Sequence, residues 1–194
     1  LALSSEQMAA LEAVDLAALK TDSIAVLRAE QVMALSTEQV ASLVTGQIAA
    51  LTTSSLNNLS TAQISALTSL QASALGSGQI SALTGDQIAV LKTDAMAALS
   101  TAAVATLSGD QISGLTTAQI AALKTSQITA LSTGALNLFS TSQIVALTSA
   151  QSGVLTTTQV NALASEQIAA METADIAALS NAAIQALTSD QTGA

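Results

Sequence analysis

The sequence has no cysteine, proline, histidine, tryptophan or tyrosine, and Phe139 is its single aromatic residue. Without cysteine there are no disulfides and no thiol chemistry, a composition compatible with export. Without histidine, cysteine and tyrosine, the usual general base, thiolate and phenol are missing. No enzyme is expected, and no catalytic, cofactor-binding or metal residue is assigned. Bases are scarce: 4 against 13 acids, for a formal net charge of -9. Phosphate binding needs clustered Lys and Arg, so no nucleic acid is expected as partner. An anionic membrane surface is excluded for the same reason. Long apolar runs are also missing. Half the residues are hydrophobic, but Ser, Thr or Gln interrupt them throughout. Nothing approaches the ~20 apolar residues of a membrane span. The chain starts at Leu1 without an initiator Met or a signal-like segment, so the expectation is a mature or excised portion of something longer.

What is present is repetition. Leu recurs every eighth position from Leu3 to Leu187, replaced only by Phe139 and Met171. The 194 residues read as a single repeat domain, 1–194, with 24 octads in register from Leu3 to Ala194. The octad is Leu-Ser/Thr-Thr/Ser-x-Gln-Ile/Val-Ala-Ala, as in Leu115 to Ala122 and Leu35 to Ser42. Position 6 is Ile, Val, Leu or Met in 21 octads, the exceptions being Ala72, Ser152 and Thr192. Position 8 is Ala in 16 and never charged. Lys20, Arg28, Lys92 and Lys124 all stand at position 2, and nine of the 13 acids stand at position 4. This pattern predicts an inner edge (1, 6, 8) and an outer edge (2, 4, 5).

The octad carries a helix-start signal. With the N-cap at position 2, Gln at position 5 falls at N3 and completes a capping box. Leu at position 1 and Ile at position 6 become the ends of a hydrophobic staple. Acids at position 4 sit in the first turn, where the helix dipole favours them. A cap at position 3 is the alternative where position 2 is Lys or Glu, as at Lys124-Thr125. Each octad therefore predicts a short helix followed by a tight reversal. Such a helix is unstable alone, so stacking into a solenoid is required. Small position 8 residues would let backbones approach.

The fold expected is all-α: a solenoid or superhelix of about 24 octapeptide units. Two rivals remain at this level. A β-solenoid is favoured by Ile, Val and Thr, although the apolar positions do not alternate with period two. One continuous helix or coiled coil is the other, but its Leu stripe would drift by roughly 80° per octad.

A longer period overlies the octad. Octads without Gln at position 5 carry Asp15, Ala95 and Asp175; Ser23, Ala103 and Ala183; and Ser55 and Ala135, each series spaced by 80 residues. Ala72 and Ser152 share that spacing, as do Asn57 and Asn137. Duplication of a ten-octad block accounts for this. So would ten octads completing an integral number of superhelical turns, with the variant octads lining one face.

Little chemistry competes with a structural reading. Lys124 beside Ser126 reads as a solvated lysine next to a cap, not a catalytic dyad. Asp22, Glu30 and Glu38, with Asp86 and Asp94, would form columns if successive octads stacked. Hard cations prefer carboxylate oxygen, but Lys20 and Arg28 could neutralise such a column instead. No cofactor is implied, and any glycan is expected to be O-linked.

The register Leu-Ser/Thr-Thr-x-Gln-Ile/Val-x-Ala-Leu, seen at Leu115 to Leu123 and Leu83 to Leu91, resembles tandem octapeptide tracts of large bacterial secreted or cell-surface proteins of adhesin-like or appendage type. The resemblance implies an extracellular or cell-surface scaffold and supplies no site residues. A local likeness to the opening helix of TAL-effector repeats stops there, since those repeats are longer and more basic. The expected function is a filament, sheath or adhesin-stalk building block that self-associates through its repeat surfaces. The runner-up is a solenoid interaction module binding peptide or glycan.

Overall fold

A computed structural model describes residues 3–193. Leu1, Ala2 and Ala194, the closing residue of the last octad, lie outside them. Among the described residues twenty-four helices run from α1 (Ser5–Ala9) to α24 (Ser189–Thr192), one per octad. No strand occurs among the described residues. The all-α solenoid is thus the observed fold. The β-solenoid fails because every octad closes a helical turn, and the continuous helix fails because every octad restarts at its own cap.

The start of α15 (Thr117–Ala122) shows how an octad is set. Thr116 is extended at φ -75° and ψ 156°. Its Oγ1 accepts from the Gln119 N–H at 3.2 Å, and its own N–H donates to Gln119 Oε1 at 2.9 Å. Both halves of the capping box are present. The helix ends at Leu123, which is extended again at φ -59° and ψ 138°. The link between helices is therefore tight, two extended residues at positions 1 and 2. No described residue has positive φ. Glycine is needed at no fixed octad position, since an extended link suits any L residue.

The alternative cap at position 3 does not occur. Lys124 is the N-cap of α16 (Thr125–Ala130), and Glu12 is that of α2 (Ala13–Ala18). At Lys124 the hydroxyl half of the box is lost. The glutamine half persists, the Lys124 N–H donating to Gln127 Oε1 at 2.7 Å.

Helices pack against those three octads away, as α9 (Ser69–Ser73) does on α12 (Thr93–Ala98) and α11 (Gly85–Ala89) on α14 (Gly109–Gly114). Successive octads advance around the coil and do not stack. One coil is a little over three octads, and each rests on the coil before it. A Cβ at Gly85 would come within 3.0 Å of the Asp110 carbonyl oxygen, and one at Gly114 within 3.1 Å of that of Gly85. Here the two backbones meet because both residues lack a side chain.

The core lies along the inside of the coil. Position 6 is fully buried through the middle of the chain (Ile112, Ile120, Ile128), and position 1 nearly so, including Phe139 and Met171. The predicted edges need correction at two positions. Position 5, expected to face outward, is buried: Gln111, Gln119 and Gln127 are each 1% exposed. Position 8, expected to face inward, is half-buried or exposed. The reason is that position 5 faces the preceding coil. Far-ultraviolet circular dichroism should show the double minimum of a helical protein. A single β-type minimum would contradict the architecture.

Candidate functional site

The most distinctive chemistry of the molecule is a ladder of buried glutamines between coils. Each amide is used at both ends. Gln119 Oε1 accepts from its own N-cap, while Nε2 donates to the carbonyls of Leu91 and Ile88, both at 2.8 Å. Gln151 repeats this with Leu123 at 2.6 Å and Ile120 at 2.8 Å, and Gln167 with Phe139 at 2.7 Å and Leu136 at 2.9 Å. In these rungs the acceptors lie 28 and 31 residues earlier, at position 1 of one octad and position 6 of the octad before it. Burying an amide is tolerated when its donors and acceptor are all engaged. This geometry does so while joining two coils.

Sequence reasoning assigns Gln only the capping role, and a local pattern can show no more. One signal does point further. Glu caps a box as well as Gln, yet Glu never occupies position 5. An amide suits most position 5 sites because a carboxylate cannot donate to two carbonyls, although Asp15 and Asp175 stand there too.

Octads lacking Gln break the ladder. Ser55 Oγ still reaches the Leu27 carbonyl at 3.2 Å. Ala95 and Ala103 are fully buried and offer no donor. Asp175 is 2% exposed, and its Oδ1 accepts from Ser149 Oγ at 2.8 Å. Of the variant position 5 residues, Ser55, Ala95, Ala103, Ala135, Asp175 and Ala183 are buried in the coil stack, whereas Asp15 and Ser23, in the first coil, are exposed.

The outer surface holds the charges. Because neighbours are three octads apart, Asp22, Glu30 and Glu38 fan around the coil and form no column, and Asp86 and Asp94 are likewise separated. Among the described residues no group of three or more acids could hold a metal. Arg28 Nε lies 3.3 Å from Glu30 Oε1 with both side chains more than half exposed, a pair that contributes little to stability. The Glu6 carboxyl is held below the usual carboxylate range by its own backbone N–H and then by the Ser4 and Ser5 hydroxyls. Lys124 and Ser126 are both exposed.

Two further features lie outside the ladder. The first coil opens on an apolar cavity of about 270 Å³ lined by Leu3, Met8, Leu19, Val26 and Leu27. Asn58-Leu59-Ser60 is an Asn-x-Ser acceptor sequence, with Asn58 exposed at the end of α7 (Thr53–Asn57). The expectation that any glycan be O-linked overlooked it.

Among the described residues no helix is long and apolar enough to cross a membrane. A comparison with curated proteins finds no match. The ALTTAQ repeat family matches five segments, residues 8–45, 40–77, 88–125, 121–157 and 168–194. The six letters of that repeat correspond to position 8 of one octad followed by the Leu, cap pair, variable residue and ladder Gln of the next. Leu115 to Gln119 reads LTTAQ here. With most of its length matched in tandem and every octad folded alike, the chain belongs to the ALTTAQ repeat family.

Proposed function

We propose that this repeat protein is a structural building block and not an enzyme: an exported bacterial component of a filament, sheath or adhesin stalk, extracellular or at the cell surface. It would associate with copies of itself through its repeat surfaces. The observation that carries this reading is that each coil offers the next the same surface, helix on helix three octads away with Gln donating to the carbonyls of the coil before. Each coil face is a near copy of the next, so the first coil of one chain matches the last coil of another. A heterologous contact of this kind does not close on itself and propagates. Sedimentation of the 194-residue chain at rising concentration is expected to show growing species. A compact, folded monomer independent of concentration would sink the proposal.

The apolar cavity of the first coil favours a second reading, an interaction module that takes an apolar peptide side chain or a glycan face. A monomer that binds such a ligand with measurable affinity would establish it instead.

A further inference from the structure

We propose that this chain pairs side by side with a second, antiparallel copy along one column of helices, with Lys20 set against Glu166 and Lys92 against Asp94 of the other copy. The pairing rests on the self-association reading for its partner, but it uses the flank of the coil and not the surface on which coils stack.

Contacts three octads apart sort the helices into three columns. One runs through α3 (Thr21–Ala25), α6 (Thr45–Ala50), α9, α12, α15, α18 (Thr141–Val145) and α21 (Ser165–Ala170), each packed on the next. Its charges are ordered about α12. Lys20 is the N-cap of α3 at one end, and Glu166 lies in the first turn of α21 at the other. At the centre, α12 has Lys92 as its N-cap and Asp94 in its first turn. All four side chains are exposed. The octads of α6, α9, α15 and α18 carry no charge, and they expose Val44, Leu70 and Val145.

A two-fold axis laid along α12 reverses the order of the column and keeps the direction of each helix, so helix starts face helix starts. Then α3 meets α21, α6 meets α18, α9 meets α15, and α12 meets itself. Lys20 opposes Glu166 and Lys92 opposes Asp94, each twice by symmetry. Asp22, in the first turn of α3, falls opposite Ala164, the uncharged N-cap of α21. Uncharged octads meet uncharged octads. The octad on the axis meets its own copy and must balance its own charge, as that of α12 does. Among the described residues the only ion pair is Arg28 with Glu30, so neither lysine of the column is paired within its own chain.

The other two columns lack this order. That of α2, α5 (Thr37–Ser42), α11 and α14 carries Glu12, Asp15, Glu38, Asp86 and Asp110 and no base. That of α1 holds Arg28, already paired with Glu30, and leaves Lys124 as its one uncommitted base. At a net charge of -9, unmatched flanks repel, so complementary charge selects the column.

Charge reversal tests the pairing in sedimentation of the full chain. Wild-type association should weaken as salt rises. Lys20→Glu sets like charges opposite each other at both ends of the pair and should weaken it by more than about tenfold. The fold accepts the change, since Glu is already the N-cap at positions 12 and 172. Lys124→Glu alters net charge equally but lies off the column, and should leave the pairing unchanged. Lys20→Glu combined with Glu166→Lys should restore wild-type association. Residues 20 and 166 stand at opposite ends of the column, so this rescue works only across two copies. Equal effects of Lys20→Glu and Lys124→Glu would overturn the pairing, as would failure of the double swap to rescue. A wild type that stays monomeric at every concentration would overturn this pairing and the self-association reading together. Growth that is indifferent to Lys20→Glu would overturn the pairing alone.

Discussion

Replacing Leu99 by Ala should destabilise the coils around it by about 2–5 kcal/mol, the range for truncating a buried Leu. Leu99 stands at position 1, is 3% exposed, and lines the inside of the coil. Removing its side chain costs transfer free energy and leaves a space that the rigid stack fills only in part. Lys92, seven residues earlier at position 2, is exposed and is the N-cap of α12 with no side-chain cap bond. Lys92→Ala should change stability by no more than about 0.5 kcal/mol. Energy in a solenoid is carried by contacts between neighbours, so amide hydrogen exchange should localise the Leu99→Ala effect to adjacent coils. Equal losses at the two sites would refute the assignment of position 1 to the core and position 2 to the surface.

The second large effect concerns the ladder. Gln119→Ala removes the partner of the Thr116 N–H and of the Leu91 carbonyl, and one of two partners of the Ile88 carbonyl, which still accepts from the Leu91 N–H. Each buried group left unsatisfied costs about 1–3 kcal/mol, softened because the fold already accepts Ala at positions 95 and 103. Gln119→Glu is nearly isosteric and still accepts from Thr116, yet it should be worse. It replaces two donated bonds by a buried charge facing two carbonyl oxygens, and an uncompensated buried charge costs about 3–5 kcal/mol. The sign of its pH dependence follows. Burial raises the carboxyl pKa in the folded state, so the penalty is full at neutral pH. It shrinks as the pH falls and the group takes up a proton. Denaturant midpoints for wild type, Gln119→Ala and Gln119→Glu at neutral and acidic pH measure both points. If the Gln119→Glu variant were as stable as wild type at neutral pH, the amide donors would have no structural role.

The fold is legible because each octad states its own boundaries. Position 2 takes the cap, position 5 returns the second bond of the box, and Leu and Ile mark the buried edge. These signals act over a few residues, where sequence spacing and spatial proximity coincide. The link is not legible in the same way, because the end of a helix signals a stop without saying how the chain turns. The chain passes in two extended residues with ordinary dihedral angles, which is why it needs neither proline nor a fixed glycine. The predicted columns of acids fail because they require consecutive octads to stack.

The octad sequence by itself determined the helix, its register and its apolar core, since capping and hydrophobic burial are set by residue type and local order. Tertiary structure alone decided which octads meet. The choice of neighbours three octads away depends on how far each helix and link turns the chain, a geometric sum over many residues that no single octad displays. From that choice came the second role of glutamine, bridging 28 and 31 residues to the coil before, and the enclosure of Asp175 and Ser152. Partners so distant in sequence become adjacent only when the coil closes, and only then does a local cap become the bond between coils.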